Sequence, residues 1–156
     1  MQGETVLERL QELGIELPEP AAAVASYRPW IRAGDLLFIS GQLPLRDGRP
    51  IAFGHLGDDI SLERGQQCAE LCAINCIAQA HHALEGDLER VERVVKLTGF
   101  VAATPDFTQH PQVINGASEL IEKIFGERGW HARAAIGCSS LPLGVPVEVE
   151  AVFQVR

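Results

Sequence analysis

From Val145 to Val155 the chain ends in a strand that can bury only one of its faces. Val147, Val149, Ala151, Phe153 and Val155 fall on one side of an extended backbone, and Glu148, Glu150, Val152 and Gln154 fall on the other. The apolar side needs helices to cover it. The mixed side has to meet solvent or other subunits, and its polar and apolar mixture suits a subunit interface that contains polar sites.

The covering helices can be read upstream. Ser61 is placed to cap a helix from Leu62 to about Leu84, closed by Gly86, whose middle is rich in small apolar residues: Cys68, Ala69, Leu71, Cys72, Ala73, Cys76 and Ala80. Val113, Ile114, Ala117, Leu120, Ile121, Ile124 and Phe125 keep helical spacing from about Pro111 to Glu127. Between them, Val91 to Ala103 alternates as a half-buried strand, with Val91, Val95, Leu97, Gly99 and Val101 on one side and Lys96, Thr98 and Phe100 on the other. Two earlier strands, Tyr27 to Ile31 and Leu36 to Ser40, and a hairpin turning at Asp47-Gly48 precede the first long helix. Arg133 to Ser139 forms one more strand, joined to the last through Leu141-Pro142-Leu143-Gly144. The order of strands, helix, strand, helix and strands gives an α+β class, a mixed sheet with two main helices on one face.

Residues 1–25 form a separate introduction. Val6, Leu7, Leu10 and Leu13 make a short helix ended by Gly14 and expected to be peripheral, and Leu17-Pro18-Glu19-Pro20 reads as an extended connector. The compact domain is expected over 26–156. A chain of 156 residues is large enough for one domain to bury roughly 70% of its unfolded surface without disulfides. The amino terminus lacks a basic, apolar leader and no segment has the apolar length of a membrane span, so a cytoplasmic protein with reduced cysteines and no membrane partner is expected. Thirteen Lys and Arg against 21 Asp and Glu leave a charge of −8 with no basic run, which disfavours a nucleic-acid partner.

Chemistry concentrates near the end. Arg133 sits in His131-Ala132-Arg133-Ala134-Ala135-Ile136-Gly137, an otherwise apolar strand. A guanidinium cannot lose its proton there, and its rigid fork asks for a carboxylate, either from the protein or from a ligand. Glu148 and Glu150 lie in the next strand. If the two strands pair as a hairpin, Arg133 and Glu148 reach one cleft; a cross-strand ion pair and a ligand site both remain open on spacing alone. Cys68, Cys72 and Cys76 recur on one helical face, yet thiols pointing the same way cannot enclose a metal and read as small core residues. Within the second helix, the Gly116 of Asn115-Gly116 suits close helix packing more than a ligand contact. Trp130 and His131 either wall a pocket or belong to the core.

Ser40-Gly41-Gln42-Leu43-Pro44, taken with His131 to Ile136, Leu141-Pro142 and Val147-Glu148-Val149, resembles the YjgF/RidA family of reactive intermediate deaminases, once labelled L-PSP endoribonucleases. The likeness runs in order from Tyr27 to Arg156. It implies a chorismate-mutase-like fold and a homotrimer with ligand pockets between subunits. It further implies that Arg133 grips a substrate carboxylate, that Glu148 positions the water hydrolysing an enamine or imine such as 2-aminoacrylate, and that Tyr27 and groups near Gly41 line the pocket; Ser40, Ala135 and Asn115 are further candidate substrate-binding residues. The partner would be a small imine, enamine or keto acid, and neither a metal nor an organic cofactor is implied. Ala135 stands where many members carry cysteine, and His131 stands where they usually carry proline or a small residue. A trimer that binds small carboxylates or a regulatory partner without turnover is the alternative, whereas RNA cleavage conflicts with the acidic charge.

Overall fold

Strand Val147–Val155 runs through the middle of the molecule, and the rest of the fold is arranged around it. A computed structural model gives the architecture of residues 3–22 and 26–156. In chain order the elements are α1 (Val6–Glu12), β1 (Trp30–Ala33), β2 (Leu36–Gln42), β3 (Leu45–Arg46), β4 (Arg49–Pro50), α2 (Leu62–Ala83), β5 (Val91–Ala102), α3 (His110–Phe125), β6 (Ala132–Cys138) and β7 (Val147–Val155). Five strands form one sheet in the order β1-β2-β7-β5-β6, and β3 and β4 make a separate two-stranded ribbon. All neighbours in the large sheet are antiparallel except β5 and β6.

That parallel pair corrects the expected hairpin between the last two strands. β5 lies between β6 and β7, so Arg133 is aligned with Leu97, which is itself aligned with Ala151, while Glu148 is aligned with Phe100. The cause is the helix between β5 and β6. A strand–helix–strand unit returns to the same sheet edge in the same direction, and a short connector then carries β7 to the other side of β5.

One face of the sheet is packed as its pattern requires. Val147, Val149, Ala151, Phe153 and Val155 of β7 are buried with Leu97 and Val101 of β5, beneath Cys72, Ala73, Cys76, Ile77 and Ala80 of α2 and Ile114, Ala117 and Ile121 of α3. The register of β5 against β7 shifts between Val91 and Arg93 and again between Val94 and Lys96. Each irregularity turns the side chains over, so Val94 rather than Val95 reaches the core. The two long helices lie close together because Gly116 has no side chain: a Cβ there would run into the Gln66 backbone carbonyl of α2. The packing role expected for this glycine holds.

Helix α1 is not a detached appendage. Thr5 caps it, with Thr5 Oγ1 accepting from the Glu8 amide at 3.1 Å and Glu8 Oε2 accepting from the Thr5 amide at 2.8 Å. Val6 and Leu10 are buried in the same core as the sheet, and Arg9 Nη1 donates to the Ile124 carbonyl of α3 at 3.2 Å. The other face of the sheet exposes Ile31, Phe38 and Ile136.

Candidate functional site

The predicted site residues fall into two groups on opposite faces of the sheet. Arg133 belongs to the helix side. Its Nη1 donates to Asn115 Oδ1 at 2.8 Å and to Ser118 Oγ at 3.2 Å, both on α3. Among the described residues no carboxylate lies within ion-pair distance of it; the ion pairs are Arg128 with Glu89 and Arg156 with Glu92. The cross-strand pair of Arg133 with a glutamate is therefore not formed. Its neighbour Ala135 points to the same side, aligned with Gly99 and packed against the core. Because β6 is the outer strand of the sheet, this group is reachable from the sheet edge.

Glu148 belongs to the open side. It alternates with buried Val147 and Val149, which face the helices, and so cannot meet Arg133 within one chain. The single cleft expected for the two residues is thus absent, because a strand separates them and their side chains point apart. Glu148 rests against β2 where the pairing of β2 with β7 slips between Ile39 and Gln42. Gly41 sits in that irregularity, and a Cβ there would occupy the space of the Glu148 carboxylate. Burial, and secondarily the charge of Glu150, push the Glu148 carboxyl above its ordinary value of 4.5.

Tyr27, half exposed, shares with Gly41 a small recess of about 60 Å³ that also takes in Gln42 and Asn75. Ser40 Oγ donates to the Arg28 carbonyl at 2.7 Å, and Ser40 borders a larger groove of about 450 Å³ with Phe38, Lys96, Thr98 and Glu150. Ser40, Gly41 and Glu148 thus gather on the open side, Tyr27 lies beside Gly41 in a recess that reaches Asn75 of α2, and Arg133, Asn115 and Ala135 lie on the helix side. Each half is built on strands or on helix α3, apart from Tyr27.

The Arg133 half also contains His131, for which a place in a pocket wall was one expectation, and Ser118, which the reading of the sequence did not single out. Ser118 Oγ lies 2.8 Å from His131 Nε2 as well as 3.2 Å from the guanidinium, and His131 Nδ1 lies 2.6 Å from the Gly129 carbonyl. Ser118 is three residues after Asn115, one helical turn, and that spacing was the available signal. Trp130, for which a core role was one expectation, is 63% exposed. Cys138 lies on the opposite face from Ala135, and burial, followed by the Glu148 charge, pushes its thiol up. The stacked thiols of α2 point at the sheet: Cys72 Sγ is 3.7 Å from the Val147 carbonyl and Cys76 Sγ 3.4 Å from that of Val149. Among the described residues, no three His, Cys, Asp or Glu side chains are grouped to hold a metal, and no helix is long and apolar enough to cross a membrane.

A mixed sheet of this order, with two helices on one face and polar groups on the other, defines a chorismate-mutase-like α+β protein. Residues 7–152 match the family described as "YjgF/chorismate mutase-like, putative endoribonuclease", and the chain belongs to this YjgF/RidA family. It is 45% identical to protein TCP17 of Trypanosoma cruzi over 97% of this chain and 94% of that one. It is 32% identical to the RutC family protein y4sK of Sinorhizobium fredii over 89% of this chain and 94% of that one. The crystal structure of the Agrobacterium tumefaciens protein Atu1372, of unknown function, superposes with a TM-score of 0.91 at 45% identity, covering 97% of this chain and 94% of that one.

Proposed function

We propose that this protein hydrolyses the C=N bond of small imino acids, formed directly or from enamines such as 2-aminoacrylate, at sites completed between the subunits of a homotrimer. The observation that carries this reading is the state of Arg133: a guanidinium anchored on a strand, held by two neutral oxygens, with its charge left uncompensated by any described acid. Such a group is ready for the carboxylate of a small organic acid.

Glu148 supplies the second requirement. A carboxyl whose pKa burial has raised above its ordinary value can take a proton from water and return it to a leaving amine. The chemistry asked of it is modest. 2-Aminoacrylate moves a proton to carbon to become 2-iminopropanoate; water then adds to C2, a proton passes to nitrogen, and the C–N bond breaks to give pyruvate and ammonia. Orientation of the acid and one proton shuttle accelerate a reaction that is already easy in water.

Since Arg133 and Glu148 face opposite ways in one chain, the reading requires a neighbouring subunit to bring its open face, with Glu148 and Gly41, to the Arg133 edge. The exposed Ile31, Phe38 and Ile136 give that face the apolar surface an interface uses.

The test generates 2-aminoacrylate in situ from serine and follows pyruvate release with the wild type, Arg133→Ala and Glu148→Ala. The wild type is expected to speed release over the protein-free rate and both variants to lose the effect. Equal rates in all samples sink the hydrolase. Ala135, which removes the thiol common in the family, favours a second reading, a trimer that binds small carboxylates without turnover. Calorimetric titration with pyruvate separates the two, because binding without acceleration, abolished in Arg133→Ala, is the result that second reading requires.

A further inference from the structure

Arg133 is held at one end only. Nη1 spends its two hydrogens on Asn115 Oδ1 at 2.8 Å and Ser118 Oγ at 3.2 Å, and among the described residues Nε and Nη2 have no hydrogen-bond partner. Nε–H and one Nη2–H are parallel donors along one side of the guanidinium, the arrangement that matches the two oxygens of a carboxylate. The free edge is therefore fixed by whatever fixes Nη1.

Behind Nη1 stands a chain of hydrogen bonds with a definite direction. The Gly129 carbonyl, 2.6 Å from His131 Nδ1, can only accept, so Nδ1 carries the hydrogen. In the neutral ring Nε2 is then bare and accepts the hydroxyl proton of Ser118 across 2.8 Å. A lone pair of Ser118 Oγ is thereby turned to the guanidinium. Ser118 is buried, with 9% of its surface exposed, so few competing partners can rotate the hydroxyl away. Both Nη1 acceptors, moreover, are uncharged, so they orient the guanidinium without neutralising it.

We propose that His131 and Ser118 are positioning residues, which with Asn115 hold Nη1 so that the Nε/Nη2 edge of Arg133 takes a ligand carboxylate side-on. The proposal rests on the reading of Arg133 as a carboxylate clamp and adds what aims it.

The experiment titrates pyruvate into the full-length wild type, Arg133→Ala, Ser118→Ala, His131→Leu and His131→Gln, and records ¹⁵N NMR spectra of the histidine side chains. Loss of the bond Nη1 donates to Ser118 Oγ in Ser118→Ala, or of the Ser118–His131 bond behind it in His131→Leu, is expected to weaken pyruvate binding about two- to tenfold. His131→Gln, whose amide oxygen can accept the same hydroxyl proton, is expected to stay within about twofold of the wild type, less than one such bond is worth. The wild-type spectrum is expected to show His131 with hydrogen on Nδ1. If Arg133→Ala abolishes binding while Ser118→Ala and His131→Leu bind as the wild type does, positioning is overturned and the clamp stands. Undiminished binding by Arg133→Ala, or none by the wild type, overturns the clamp and positioning together. A hydrogen on Nε2, or equal losses in the Gln and Leu variants, also overturns positioning. Should His131→Leu fail to fold, Ser118→Ala and the spectrum decide.

Discussion

At the scale of single residues, the informative fact is that Asn115, and not an acid, occupies the position beside Arg133. An aspartate there would place a charged oxygen where Oδ1 now lies, 2.8 Å from Nη1, and would supply internally what the clamp reading assigns to the ligand. Asn115→Asp is therefore expected to weaken pyruvate binding about ten- to a hundredfold, the worth of a hydrogen bond between charged groups, while leaving the fold intact. Calorimetry against the wild type measures this, and unchanged affinity would show that the charge of Arg133 does not hold the ligand. Glu148 makes a pH-dependent prediction. Its folded pKa is raised, so the folded chain keeps a proton that the unfolded chain releases. Its ionisation consequently costs no stability at pH values well below 4.5, and the cost builds up as pH rises from there through the folded value. Glu148→Gln removes the cost. Melting temperatures measured from pH 4 to 8 are expected to converge at the acid end and to favour the variant at neutral pH, the same variant being inactive as a hydrolase.

At the scale of elements, the alternation of β7 and the 3.6-residue periodicity of α2 and α3 were enough to say which side of the sheet is covered. What local pattern could not supply was lateral order. β6 and β7 are consecutive and joined by a turn-rich connector, which reads as a hairpin; yet the strand–helix–strand run of β5, α3 and β6 keeps β6 beside β5, and β7 lies on the far side of β5. The consequence for the site is large, because Arg133 and Glu148 then lie two strands apart on opposite faces. The sorting of β5 failed for a smaller reason: the bulges that exchange Val94 for Val95 lie in the pairing with β7 and leave no mark on the spacing within β5 itself. Gly116, by contrast, was legible, since a glycine inside an apolar helical pattern asks for a packing reason. Adding a side chain there drives it into the α2 backbone, which cannot swing aside as a side chain would. Gly116→Val is expected to destabilise the protein by about 3 kcal/mol, the upper part of the overpacking range, and urea unfolding measures it. A cost below about 0.5 kcal/mol would mean that the two helices separate at little expense.

At the scale of the whole molecule, one chain carries two candidate half-sites, of Arg133 and of Glu148, that face away from each other. The arrangement makes sense if identical chains meet head to tail around an axis, each presenting its Arg133 edge to the open face of the next. A monomer of this fold would then bind and hydrolyse nothing well, although all its residues are in place. Mixing two inactive variants discriminates this arrangement from a site completed within one chain. Arg133→Ala keeps Glu148, and Glu148→Gln keeps Arg133, so a mixed trimer contains one interface at which both groups are intact. Each mixed trimer has one working site of its three, so about a third of wild-type hydrolysis is expected to return in isolated mixed trimers. The variants are co-expressed with different tags, mixed trimers are isolated by sequential affinity steps, and pyruvate release is measured against the two pure variants. Activity no higher than that of either parent in confirmed mixed trimers would show that the pairing of Arg133 with Glu148 across subunits is wrong. Restored activity would place the reacting groups on different chains and make assembly a condition of catalysis.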